Sequence, residues 1–149
     1  MSRSVVIVDA VRTPFGKAGS LYAGTRADDL IVRAIRGLLE RNPKVDPKTI
    51  DDVAVAAATQ SGDQGMNIGR SAALLSGLPN SVPGYSIDRW CAGALTAVTT
   101  VAGSIAMGAY DVAIADGFTV GTFANFNDNY QSIAGAENAT VGVNIGWTF

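Results

Sequence analysis

Apolar positions along this chain follow two periods, one suited to strands and one to helices. Val5-Val6-Ile7-Val8 opens an apolar run reaching Ala10, which predicts a first strand buried on both faces. Arg12-Thr13-Pro14-Phe15-Gly16-Lys17 interrupts it as an irregular loop. A helix follows, with Thr25 as N-cap and Asp28 three residues on as a short capping box. Its stripe of Ile31, Ala34, Ile35 and Leu38, with Leu30 and Leu39 beside it, has helical spacing, and Asn42-Pro43 stops it. Residues 51–59, around Val53-Ala54-Val55-Ala56, predict a second strand. Asn67 is the expected cap of a second helix through Leu75, closed by Gly77-Leu78-Pro79. Residues 82–87 predict a third strand, 91–107 a long buried helix and 111–115 a fourth strand. The order βαβαβαβ argues for an α/β fold with a largely parallel sheet covered by helices.

Composition changes this picture in two places. All eleven Lys and Arg lie at or before Arg89, whereas residues 91–149 carry Asp111, Asp116, Asp128 and Glu137 and no cation. A half without cations is unusual for a solvated surface and points to packing against other protein. Residues 118–149 then hold six of the eleven aromatics, which sets them apart as a tail. Within it Val141, Val143, Ile145, Trp147 and Phe149 alternate with small or polar residues, so 140–149 predict a strand.

Several function classes drop out. A net charge of −2 offers no basic footprint for nucleic acid. Residues 92–110 are uncharged, but Ala, Gly, Thr and Ser dominate them, which suits a buried helix and not a membrane span. The apolar run at Val5–Val8 is too short for the core of a secretory signal, so a cytoplasmic protein is expected. With no histidine and one cysteine, neither a Cys/His zinc site nor a one-chain Ser-His-Asp or Cys-His mechanism can form. No G-x-G-x-x-G follows a strand and no Walker A sequence is present.

One residue remains that can carry chemistry. Ile87-Asp88 ends the third strand and Arg89-Trp90 leads into Cys91-Ala92-Gly93-Ala94-Leu95. Cys91 is thereby placed in the first turn of a helix at the carboxyl edge of the sheet, where open α/β sheets bind ligands. Unpaired amides at a helix start favour an anion, which suits a thiolate. The small residues around Cys91 leave room for a substrate. A lone cysteine beside an apolar helix also fits a small buried hydrophobe, and both readings stand at this point.

The motifs themselves are familiar. Val5 through Lys17, Arg26-Ala27-Asp28-Asp29-Leu30, Gly65-Met66-Asn67-Ile68-Gly69-Arg70 and Gly77-Leu78-Pro79 with Val82-Pro83-Gly84 resemble the thiolase family in order and spacing. Ile87-Asp88-Arg89-Trp90-Cys91-Ala92-Gly93-Ala94 stands where that family has its Asn-Arg-x-Cys-x-Ser-Gly nucleophile motif. The likeness is greatest to the acetyl-CoA acyltransferase branch, in particular to the thiolase subunits of β-oxidation complexes. It implies an N-terminal thiolase half over residues 1–117, with a mixed, mostly parallel sheet and a buried helix after the nucleophile. It further implies that Cys91 attacks the keto carbon of a 3-ketoacyl-CoA, that acetyl-CoA leaves, and that a second CoA removes the acyl group. The Cys91 backbone amide would be one donor of the oxyanion hole. Coenzyme A thioesters would be substrates, with no tightly bound cofactor. The implied partner is a second thiolase half or further copies of the chain, as a homo-oligomer or within a β-oxidation complex.

Asp88 replaces the family's Asn, Gly93-Ala94 its Ser-Gly, and Ala115-Asp116-Gly117-Phe118-Thr119 its Ala-Gly-Gly-x-Glu. Thiolases run well past twice this length, and the family's histidine base and second, acid/base cysteine fall outside this chain. Each missing proton transfer is worth about 10²–10⁴-fold, so the isolated chain is expected not to turn over. The alternative is a non-catalytic fragment, or a chimera joined near residue 117, acting only as an oligomerising module through the 91–107 helix. A ketoacyl synthase fits the N-terminal motifs less well. Arg12, Lys17 and Arg89 could meet phosphates, but structural or solvated roles suit them better.

Overall fold

A strand buried on both faces organises the molecule. The computed structural model describes residues 4–120 and 143–148. β2 (Asp52–Ala57) is buried along its whole length. It pairs in parallel with β3 (Tyr85–Ile87) on one side and with β4 (Ala113–Val120) on the other. Beyond β4 lie β5 (Val143–Thr148) and then the two-residue β1 (Gly16–Lys17), so the order is β1-β5-β4-β2-β3. Every described pairing is parallel.

The two faces of β2 receive different side chains. Val53, Val55 and Ala57 meet α1 (Ala27–Arg41) and α2 (Ile68–Leu75) in a core with Leu30, Ile31, Ile35, Ile68 and Ala72. Ala54 faces the other way, onto Ala97 and Val101 of α3 (Gly93–Ala106). This period of two, with a helical layer on each face, explains why the strand is apolar throughout. Each fully buried Ile or Leu on the α1 side stabilises by roughly 1.5–3 kcal/mol over its exposed state.

The expected βαβαβαβ alternation is present, with bounds that tertiary contacts adjust. The first strand is displaced. Residues 5–10 form no ladder; Val6 and Val8 are about three-quarters exposed, and the pairing segment is Gly16–Lys17. A strand requires a partner, and β5 pairs with β4 only from Asp116 onward. Beside the open edge at Ala113–Ala115 an apolar groove of about 370 Å³ separates residues 4–9 from β4. Those residues are tethered instead through Asp9, which accepts from the Arg41 guanidinium and the Asn42 amide, both at 2.8 Å.

The capping box at Thr25 does not form. Arg26 occupies the N-cap and its guanidinium takes both oxygens of Asp28, at 2.9 and 2.8 Å, so that carboxylate does not reach back to Thr25. Asn67 does cap α2, accepting from the Arg70 amide. The second and third strands are shorter than expected and the fourth is longer, running through residue 117 to Val120. Of the proposed tail at 118–149, residues 121–142 and Phe149 lie outside the described residues, and β5 occupies six positions of the alternating stretch expected at 140–149. The helix after Cys91 is not fully buried. Gly93, Ala97, Val98 and Val101 are covered, whereas Leu95, Thr99, Thr100 and Met107 are exposed, because among the described residues only one layer packs on it.

At the amino edge of the sheet, Asp51 accepts from the amides of Asp111 and Val112, and Tyr110 donates to the buried Asp52 at 2.7 Å. That bond to a carboxylate pushes the Tyr110 hydroxyl up to about 12. Asp9, Asp28 and Asp51 lie below the usual carboxylate value of 3.8, held there by the Asn42 amide, the Arg26 guanidinium and the Asp111 amide respectively. A depressed folded pKa means that each carboxylate stabilises while ionised. The contribution is complete above 3.8 and is lost as pH falls through the lower folded values. The urea midpoint is therefore expected to hold from neutral pH to about pH 4 and to drop below it. Asp51→Asn should flatten that drop, and an equally steep drop in the variant would refute the assignment.

Candidate active site

Cys91 sits where the sequence places it, at the carboxyl edge of β3, and it is exposed. Within the described residues it is not packed as a small buried hydrophobe would be. The residue lies in a single 3₁₀ turn, Trp90–Ala92, which runs directly into α3. The Ala92 amide bonds the Arg89 carbonyl at 3.0 Å and the Gly93 amide bonds the Trp90 carbonyl. The Cys91 amide precedes these and has no acceptor in the turn among the described residues. Such an orphan N–H at a helix start is free to bind an oxyanion.

Two features make the turn this tight. Trp90 adopts a left-handed conformation, φ 48°, with its ring largely exposed. Non-glycine residues held in that region cost about 1–3 kcal/mol and cluster at functional sites. Gly93 lets the helix start press on β2, since a Cβ there would stand 2.9 Å from the Cβ of Ala56. Ala56 lies level with both Ile87 of β3 and Gly117 of β4, so the turn sits over the sheet and not beyond its edge.

Side chains brace the same region. Arg89 donates to the Thr96 hydroxyl at 3.0 Å, and Thr96 donates to the Ala92 carbonyl at 2.8 Å. On the strand side, Asn67 is also left-handed, and its amide donates to the Gly84 carbonyl at 2.9 Å. Ser86 donates to Asn67 and accepts from the Gly69 amide, which joins the start of α2 to the strand that delivers Cys91. Arg26 adds an ion pair to Asp63 at 3.1 Å, tying the loop after β2 to the start of α1. The other cations considered from sequence are not gathered here. Arg12 lies over the Phe15 ring and donates to the Thr13 carbonyl, while Lys17 lies in β1. Thr96 and Trp90 were not singled out from the sequence. Thr96 carried a weak signal, four residues after Ala92 in a helix, whereas a left-handed tryptophan carries none.

The apolar groove beside residues 4–9 is lined by Leu38, Val98, Ile105 and Ala113, and Cys91 does not reach it. Among the described residues no three His, Cys, Asp or Glu side chains converge as a metal would require. No described helix is long and apolar enough to cross a membrane.

The family model for the N-terminal domain of thiolases matches residues 5–142. The chain belongs to the thiolase family. That match continues past residue 117 and takes in part of the segment that motifs alone set apart as a tail. The β-ketoadipyl-CoA thiolase of Pseudomonas knackmussii is 41% identical over 150 positions, covering all of this chain and 37% of that protein. The 3-ketoacyl-CoA thiolase of Pseudoalteromonas translucida is 42% identical over 113 positions, covering 75% of this chain and 29% of that one. Among solved structures, the acetyl-CoA acetyltransferase of Bacillus anthracis superposes with a TM-score of 0.73 at 33% identity. It covers 78% of this chain and 29% of its own. The chain thus covers between 29% and 37% of the length of these thiolases. The α/β architecture expected from its motifs is a thiolase architecture.

Proposed function

We propose that this chain is the nucleophile-bearing part of a thiolase-type acyltransferase acting on coenzyme A thioesters. The observation that carries the reading is an exposed Cys91 on a tight strand-to-helix turn, within a segment matched by the thiolase N-terminal domain. The sulfur attacks the keto carbon of a 3-ketoacyl-CoA, and the negative charge on the carbonyl oxygen meets the unpaired Cys91 amide. The carbon–carbon bond breaks, the proton given up by the Cys91 thiol ends on the methyl carbon of the departing acetyl-CoA, and the acyl group remains as a thioester. A second CoA thiol then attacks that thioester and frees Cys91. One oxyanion donor of this kind is worth about 3 kcal/mol of barrier.

Proton transfer is the part this chain lacks. It contains no histidine and no second cysteine, so a complementing thiolase half must bring the base and the acid. Alone, the chain should accept an acyl group slowly, the thiol proton passing through water to the departing methyl carbon, while repeated turnover needs that half. The exposed face of α3, with Leu95 and Thr99 and with Met107 at its C-cap, and the cation-free stretch around it suit contact with that half or with further copies. The substrates named for the matched relatives, β-ketoadipyl-CoA and 3-ketoacyl-CoA, fit the 3-oxoacyl thioester class assigned to Cys91. No described feature favours a purely structural module.

Intact-mass spectrometry of the folded chain before and after incubation with acetoacetyl-CoA tests this directly. An acetyl adduct mapped to Cys91 is the expected result. Unmodified protein, shown by circular dichroism to be folded, would overturn the reading.

A further inference from the structure

We infer that Arg89 and Thr96 form a positioning brace that sets the Cys91 amide for the oxyanion, an inference that rests on the reading of Cys91 as acyl acceptor. The turn has two ends, the Arg89 carbonyl and the Ala92 carbonyl. Backbone geometry closes the first, through the Ala92 amide at 3.0 Å. The second is held by the Thr96 hydroxyl at 2.8 Å, and that hydroxyl is aimed by the Arg89 guanidinium at 3.0 Å. Arg89 thus reaches over Trp90 and Cys91 and grips the helix one turn ahead. The hydroxyl accepts from a cation while it donates to a carbonyl, and such chained bonds strengthen one another.

The strain at Trp90 gives the brace its purpose. A left-handed non-glycine residue persists only where its surroundings over-determine it. The φ of 48° at Trp90 orients the peptide plane between Trp90 and Cys91, and that plane contains the Cys91 N–H. Relaxation of Trp90 would swing the donor away while leaving the sulfur on the surface. The brace should therefore matter for steps that need the amide and not for steps that need only the sulfur.

This separation supplies the test. Thr96→Val keeps the branched shape and removes both hydrogen bonds, whereas Thr96→Ser retains the hydroxyl. Two rates are measured on the purified chain: acetylation of Cys91 by acetyl-CoA, read by intact mass, and alkylation by iodoacetamide, a displacement with no oxyanion. Acetylation in Thr96→Val is expected to fall at least about tenfold, toward the ~10²-fold that a 1 Å misplacement can cost, while alkylation stays within about twofold. Thr96→Ser should restore acetylation, with thermal unfolding of all three proteins alike. Equal acetylation of wild type and Thr96→Val would overturn the brace and leave Cys91 as acyl acceptor. Parallel loss of both rates would also overturn it, showing a purely structural role. A folded wild-type chain that is alkylated but never acetylated would overturn both.

Discussion

Cys91→Ala is expected to abolish the acyl adduct completely, with no measurable change in stability. Removing the nucleophile of a covalent catalyst costs on the order of 10⁶ in rate, because the amide and any bound substrate are left with no atom to acylate. The side chain is exposed, so the loss of one sulfur should shift unfolding by less than about 0.5 kcal/mol. Cys91→Ser should be nearly as inert, since an unactivated hydroxyl is a far weaker nucleophile than a thiol and no histidine is present to activate it. The measurement is intact mass with peptide mapping after incubation with acetoacetyl-CoA. An adduct that persists in Cys91→Ala at the wild-type level would place the chemistry on another residue and remove the basis of the mechanism. If the complementing half is supplied, the same substitution should eliminate turnover while leaving assembly intact.

Gly69→Ala should be a severely damaging single methyl group. A Cβ at Gly69 would collide with the Tyr85 carbonyl oxygen and lie under 3 Å from its amide nitrogen. The reverse contact is equally tight, since a Cβ at Gly84 would meet the Gly69 carbonyl at 2.6 Å. Both obstacles are backbone, so neither can rotate aside. α2 must separate from the entry to β3, breaking the bonds from Gly69 to Ser86 and from Asn67 to Gly84. Overpacking together with two weakened hydrogen bonds gives a destabilisation of about 4 kcal/mol, a large part of the 5–15 kcal/mol that holds a domain folded. Gly37→Ala is the control with opposite sign. Gly37 lies inside α1 with nothing within 4 Å of an added Cβ, so alanine should stabilise by about 0.5–1 kcal/mol. Urea midpoints of the two variants decide the matter. A Gly69→Ala protein as stable as wild type would mean that the crossing is looser than described.

The active-site motif was legible because it is local. Ile87-Asp88 ending a strand and Cys91-Ala92-Gly93 opening a helix are neighbours in the chain, so placing Cys91 at a strand-to-helix turn required no long-range contact. Asn67 was legible as a cap for the same reason. Its bond to Gly84 was not, because 17 residues intervene and only the sheet brings them together. The Thr25 capping box failed because Arg26 competes for the same carboxylate with a bidentate pair.

Residues 5–10 show the limit most clearly. Their apolar run is as strand-like as that of β2, yet only β2 has a partner on each side. Local pattern determined which segments could be helices or strands, which faces were apolar, and that the one cysteine would stand at a strand-to-helix turn. Only the tertiary structure decided which strand lay beside which, that α3 would be covered on one face, and that Trp90 would be held left-handed beside Cys91. The physical reason is that periodicity reports burial along one segment. Pairing, closure of a turn and the approach of Gly69 to Gly84 are properties of two segments at once, and no single stretch of sequence contains them.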